Sequence, residues 1–231
     1  MKTVLITGAN RGIGLEHARR FAASGAQVFA TARTPADAAD LKALAADRPG
    51  RIEILAHDAN EPDAPARLKA ALGDTPLDLF FANAGIIGDT RPSFGSVDVD
   101  LVLQLVRINA LAPLKLAEAL VDNVARSQRK LIAFQSSILG SVGKNDALGH
   151  YAYRVSKGAV NMIAKSVSNE LRPRGVTVVA LHPGWVRTRM GGDSAPVSVD
   201  ESVSGQQRLL DSLTLAESGR FFNYDGTELP W

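Results

Sequence analysis

Short apolar runs recur along the chain without polar alternation, each followed by apolar positions at helical spacing. The first run, residues 3–6 (Thr-Val-Leu-Ile), reads as a strand buried on both faces. Residues 15–24 then read as a helix stopped by Gly25. Further strands are expected at 26–32, 51–56, 77–82, 129–135, 175–181 and 219–222. Helical patterns lie between them at 36–46, 61–72, 97–124 and 147–171, and a last one at 199–215. The 61–72 helix has Pro65 near its start, and the 97–124 region should bend near Pro113. Strands alternating with helices predict a parallel sheet of seven strands with helices on both faces. Right-handed crossovers make this a doubly wound α/β fold, with ligands at the carboxyl ends of the strands.

Glycines follow the first strand at once, in Thr7-Gly8-Ala9-Asn10-Arg11-Gly12-Ile13-Gly14. Gly8 permits a tight turn, Gly12 lets the backbone approach a pyrophosphate, and Gly14 lets the helix lie close to the sheet. The helix N-terminus then offers free N–H groups to phosphate. The spacing, Gly-x3-Gly-x-Gly, differs from the commonest dinucleotide fingerprint. Its place between a buried strand and a helix is what favours a nucleotide over a turn that only permits close packing.

Other polar residues also gather at strand ends: Asp58, Asn83, Ser136, Ser137 and the Pro183-Gly184 pair. In the 147–171 helix, Tyr153 and Lys157 are four apart and share a face. A nearby ammonium favours a phenolate, and lowering a phenol by about three units toward neutrality corresponds to roughly 4 kcal/mol. Such a Tyr153 could exchange protons near neutral pH. Two connections, 140–149 and 188–205, carry no motif and are the expected walls of a substrate site; 188–198 has the glycines and proline of an active-site lid.

Composition narrows the alternatives. The 231 residues fit one domain spanning 1–231, with 45% hydrophobic and 22% charged residues. The formal net charge is only +2 and no Lys/Arg run occurs, so nucleic acid is not an expected partner. The chain has no Cys, which removes disulfides and thiolate chemistry, and its His residues show no metal spacing. No leader or membrane-spanning segment is expected, which points to a cytoplasmic protein.

Taken together, Thr7-Gly8-x3-Gly12-x-Gly14, Asn83-Ala84-Gly85, Asn109, Ser137, Tyr153-x3-Lys157 and Pro183-Gly184 resemble the short-chain dehydrogenase/reductase family over essentially the whole chain. The closing stretch from Phe221 to Trp231, with residues 136–141, is similar to its C-factor-like and sniffer-type carbonyl reductase branch. The resemblance implies a Rossmann-fold NAD(P) domain with Asn109, Ser137, Tyr153 and Lys157 as the catalytic set. Tyr153 would be the acid/base, Lys157 would lower its pKa and hold the nicotinamide ribose, and Ser137 would hold the substrate oxygen. Asn109, in a break between helical segments, would fix a proton-relaying water. One departure is that Ser137 precedes Tyr153 by 16 residues, about three more than the family pattern. Ser136 stays open as the alternative, since neighbouring strand residues face opposite ways.

The cofactor contacts so implied are Gly8, Asn10, Arg11, Gly12, Ile13, Gly14, Arg33, Asp58, Asn83, Ala84, Gly85, Tyr153, Lys157, Pro183, Gly184, Val186 and Thr188. Asp58 would accept from the adenine amino group, and Thr188 would bond the carboxamide. At the end of the second strand, where a carboxylate would bind a ribose 2′-OH, stands Ala32, followed by Arg33. Arg33 and Arg11 together favour NADP(H), with NAD(H) possible. The expected activity is hydride transfer to a small carbonyl or from an alcohol, in a homodimer or homotetramer. The alternative is an NADP(H)-binding signalling protein with little turnover.

Overall fold

The computed structural model describes residues 2–88 and 94–231. Among them the sheet has eight strands: β1 (Thr3–Ile6), β2 (Gln27–Ala32), β3 (Ile52–Ala56), β4 (Leu79–Ala82), β5 (Leu131–Gln135), β6 (Thr177–His182), β7 (Phe221–Asn223) and β8 (Glu228–Leu229). Their order is β3-β2-β1-β4-β5-β6-β7-β8. The seven expected strands pair in parallel, and β8 adds an antiparallel edge to β7. A two-residue strand is too short to leave a periodic signal. It forms because the turn at Gly226 (φ 95) folds the chain back, with Gly226 N–H donating to Asn223 O at 3.0 Å.

The helices are α1 (Gly12–Ala23), α2 (Ala39–Asp47), α3 (Ala64–Leu72), α4 (Val99–Val106), α5 (Ala112–Ala125), α6 (Tyr151–Leu171) and α7 (Val199–Ser212). Strand alternation splits the core into two layers. Val4, Ile6, Phe81 and Ala133 pack with Phe21 of α1, Leu41 of α2 and Leu209 of α7. Leu5, Phe80, Ile132 and Phe134 pack with Leu68 of α3, Leu116 and Leu120 of α5, and Val160 of α6. Helices therefore cover both faces, and the order reverses between β1 and β4, where a crevice opens at the strand ends.

Several boundaries differ from expectation for local reasons. α1 begins at Gly12 rather than Leu15, so the last two glycines belong to its first turn. α3 starts at Ala64 rather than 61, with Pro65 in its first positions, where a missing N–H costs nothing. The 97–124 region is α4, a π-helical turn at Arg107–Leu111, and α5. Pro113 lacks the N–H and crowds the carbonyl four residues back, at Asn109, which accounts for the wider turn just before it. α6 starts at Tyr151 instead of 147 because His150 is left-handed (φ 58). Tyr153 thus stands in its first turn, and the loop before it is longer than expected.

His17 lies fully buried in the α1–α7 layer. Its ring stacks on Phe21 (centroids 5.9 Å) and tilts against Phe81 (4.5 Å). Burial pushes its pKa down to about 4. The unfolded chain binds a proton there below about 6.5 and the folded one does not until about 4, so stability should fall as pH drops through that window. A His17→Phe variant should show a shallower loss of stability between pH 6.5 and 4 in urea titrations. An unchanged slope would refute the assignment.

Candidate active site

The carboxyl end of β1 runs into the turn at Gly8 (φ 64) and Gly12 (φ 54). Its backbone is fixed from below: Ala9 N–H donates to Thr31 O at 2.8 Å, and Gly8 N–H to Thr31 Oγ1 at 3.3 Å. Asn83, after β4, braces the same turn. Its Nδ2 donates to Thr7 O (2.9 Å) and Gly8 O (3.2 Å), while Asn83 and Ala84 N–H both donate to Thr7 Oγ1 at 3.0 Å. A Cβ on Gly14 would lie 2.5 Å from Gly8 O and 2.6 Å from Asn83 Nδ2, and one on Gly8 2.9 Å from Ala84 Cα. No side chain caps the N-terminus of α1. Two backbones thus meet at van der Waals distance, and the helix N–H groups face the crevice they leave.

Arg11 and Arg33 are both exposed and form no ion pair among the described residues. Asp58 Oδ1 accepts from Asn60 N–H (2.9 Å) and Asn60 Nδ2 (3.0 Å). Asn60 O in turn accepts from Arg107 of the π-helical turn at 2.8 Å, which ties this loop to the Asn109 segment. On the far side, Pro183 O accepts from Ser202 Oγ at 2.6 Å and Val186 bridges to Val197. Thr188 Oγ1 accepts from Gly191 N–H at 3.1 Å, and its methyl lies 3.5 Å from where a Gly12 Cβ would be. The 188–198 loop expected as a lid is internally braced: Trp185 Nε1 donates to Gly191 O (2.8 Å) and Arg187 Nη1 to Ala195 O (2.9 Å).

α6 supplies the polar centre. Tyr153 and Lys157 share its face, with Lys157 Nζ 5.7 Å from the phenol ring centroid. Lys157 is buried and donates to Gln135 O at 2.8 Å. Burial pushes its pKa down to about 8 and pushes Tyr153 up to about 12; only the hydrogen-bonding Ser137 hydroxyl pulls the phenol the other way. The expected lowering of Tyr153 by Lys157 is therefore not what this geometry produces. Desolvation of the phenol outweighs an ammonium directed at a carbonyl oxygen.

The two serines part as strand alternation demands. Ser136 Oγ donates to Asn161 Oδ1 on α6 at 2.5 Å, and Asn161 Nδ2 donates to Gly140 O at 3.0 Å. Ser137 caps the 3-10 turn Ile138–Gly140, accepting from Leu139 N–H at 3.2 Å, and is the serine beside Tyr153. Asn109 is buried in the π-helical turn. Its Oδ1 accepts from Ile86 N–H (2.8 Å), and its Nδ2 donates to Ile86 O (2.8 Å) and Ser156 Oγ (3.0 Å). Gly85 stands between: a Cβ there would lie 3.1 Å from Asn109 Oδ1 and 3.8 Å from Lys157 Nζ. Asn109, Gly85, Lys157, Tyr153 and Ser137 thus form one cluster beside the glycine turn. Sequence reasoning missed Gln135 and Asn161, and took Thr7 only as the head of the glycine motif, without its hydroxyl's bracing of Asn83 and Ala84. Asn161 could have been suspected, being one helical turn beyond Lys157 on the same face; the Gln135 carbonyl leaves no side-chain signal.

These residues fit a dinucleotide with an extra phosphate: a turn without room for a Cβ at Gly8 or Gly14, an uncapped helix N-terminus, and the exposed guanidinium groups of Arg11 in that turn and Arg33 just after β2, neither in an ion pair among the described residues. A family model described as short chain dehydrogenase matches residues 2–197. The chain is 42% identical over 156 residues to C-signal of Myxococcus xanthus, covering 68% of this chain and 93% of that protein. It is similar to the solved structure of carbonyl reductase Sniffer of D. melanogaster (TM-score 0.90, 36% identity, 100% of both chains covered). It is also similar to a carbonyl reductase from Pseudomonas aeruginosa PAO1 in complex with NADP (TM-score 0.88, 39% identity, 100% of both chains covered).

Gly14→Ala tests the close approach. Its Cβ would meet a backbone oxygen, which cannot rotate away, so the turn itself must shift. The variant should stay folded with a lowered Tm and lose about tenfold or more in NADPH affinity by fluorescence titration. Unchanged affinity would show that the turn does not seat the dinucleotide.

Proposed function

Since the chain belongs to the short-chain dehydrogenase family, among oxidoreductases of the C-factor and sniffer type, we propose that it reduces small carbonyl compounds with NADPH. The observation that carries this reading is the cluster of Ser137, Tyr153 and Lys157 beside the glycine turn, with the phenol held in its protonated form. The bound cofactor would supply hydride to the carbonyl carbon. Ser137 holds the carbonyl oxygen, and Tyr153 delivers a proton to it. A phenol pushed up to about 12 is protonated at neutral pH, as an ordinary phenol is, so Tyr153 starts as the donor and the phenolate it leaves has to be stabilised for the proton to pass. Lys157, charged below about 8, stabilises the phenolate that donation leaves behind and bonds the nicotinamide ribose. Asn109 holds a water that returns a proton past Lys157.

In the same reading Gly8, Asn10, Gly12, Ile13 and Gly14 seat the pyrophosphate, and Asp58 the adenine. Ala84 and Gly85 line the ribose, and Pro183, Gly184, Val186 and Thr188 the carboxamide. Arg11 and Arg33 take the 2′-phosphate, supported by the absence of a carboxylate at Ala32 and by the NADP complex of the Pseudomonas reductase. The proposal includes a homodimer or homotetramer acting in the cytoplasm; the exposed apolar side chains of Leu103 on α4 and Met162 on α6 support the assembly. No helix among the described residues is long and apolar enough to cross a membrane. The likeness to C-signal favours a second reading, an NADP(H)-binding signalling protein with little turnover.

Two variants separate these readings. Tyr153→Phe should lose at least about a thousandfold in kcat against a carbonyl panel while keeping NADPH affinity within about twofold. Retained turnover would overturn the proton-donor role; a wild type that binds NADPH without oxidising it would favour signalling. Arg33→Ala should weaken NADPH about tenfold or more and leave NADH nearly unchanged in titrations. Equal effects on both would remove Arg33 from the phosphate site.

A further inference from the structure

The connection from Ser137 to Tyr153 is the place where this chain departs from its family's spacing, and it is held from the far edge of the sheet. After the 3-10 turn, Ser141 is buried. Its hydroxyl faces two carbonyl oxygens, Pro230 O at 2.6 Å and Trp231 O at 3.1 Å, and accepts from Lys144 N–H at 3.1 Å. Gly143 N–H donates to Trp231 O at 2.9 Å, and a Cβ on Gly143 would come within 3.3 Å of Pro230 Cβ. The indole of Trp231 stacks on Phe221 (centroids 5.6 Å, interplanar angle 18°), and Phe221 is a fully buried β7 residue. β8 runs into this stretch from its antiparallel pairing with β7. Residues 228–231 are thus anchored in the sheet and turn their last carbonyls onto the loop. The clasped loop in turn presents Val142 (85% exposed) and Leu148 (93% exposed).

We propose that Pro230 and Trp231 form a clasp on the 141–149 loop, making Ser141 and Trp231 positioning residues that set which carbonyl substrates reach Ser137 and Tyr153. This rests on the carbonyl reductase reading of that site. The hydrogen bonds fix the loop's backbone near Ser137, and the stacked indole fixes the clasp. Val142, between the clasped Ser141 and Gly143, is then held as an apolar wall for a hydrophobic group flanking the carbonyl. Neither clasp residue touches the glycine turn, so the cofactor site should be indifferent to it.

The experiment compares Trp231→Ala, Trp231→Phe and Ser141→Ala with wild type by amide exchange, NADPH titration and steady-state kinetics on an aryl ketone and a small aldehyde. In Trp231→Ala, protection of the Gly143 and Lys144 amides should fall about tenfold. The KM for the aryl ketone should rise about fivefold or more, with the small aldehyde and the NADPH Kd changed less than about twofold. Trp231→Phe, which keeps a ring on Phe221, should restore most of both effects. Unchanged exchange and KM, or an NADPH Kd that rises in step with KM, would overturn the proposal. Should Trp231→Ala not fold, Ser141→Ala carries the same comparison. Should wild type turn over no carbonyl, the enzymatic reading fails while the exchange arm still decides the clasp.

Discussion

Everything at the polar centre depends on how closely α6 lies against the end of β5. A Cβ on Gly140 would sit 2.5 Å from the Lys157 carbonyl carbon and 2.6 Å from its oxygen, so only glycine allows this approach. Three polar contacts then lock the contact surface: Ser136 to Asn161, Asn161 to Gly140 O, and Lys157 to Gln135 O. All are buried, so breaking one would leave a desolvated group unpaired, at about 1–3 kcal/mol. That cost is what holds Tyr153 and Lys157 in fixed relation to Ser137.

The same closeness sets the electrostatics. A surface pair of phenol and ammonium at helical spacing would be governed by their mutual charge. Here both are desolvated, and desolvation disfavours each charged form, raising Tyr153 and lowering Lys157. Desolvation therefore favours the neutral phenol over a standing phenolate. The buried ammonium, pushed down to about 8, keeps its charge at neutral pH and donates to a backbone oxygen, Gln135 O.

A second close approach, between the turn after β1 and the segment after β4, gives the crevice its floor. Asn83 illustrates how one residue type serves there: its amide spans Thr7 O and Gly8 O, satisfying carbonyls that the turn leaves without strand partners. The Arg107–Leu111 π-helical turn does the corresponding work on the α4–α5 side, turning Asn109 inward against Ile86 and Ser156.

Much of this was legible in the residues alone, because it rests on local periodicity. Apolar runs and helical spacing fixed the parallel, doubly wound sheet. The glycines fixed the turn at β1, and the 3.6-residue period put Tyr153 and Lys157 on one face whatever lay around them. What local spacing could not carry was everything that joins distant segments. Ser136 and Ser137 are neighbours in sequence, and the direction of each hydroxyl was settled by where α6 packs. The Gln135 carbonyl that receives Lys157, the β8 edge and the Trp231 contact with the 141–144 stretch have no sequence signature, being backbone groups or chance meetings of remote residues. The pKa directions belong to the tertiary structure for the same reason: desolvation sums over every atom that surrounds a group, and spacing along the chain names only a few of them.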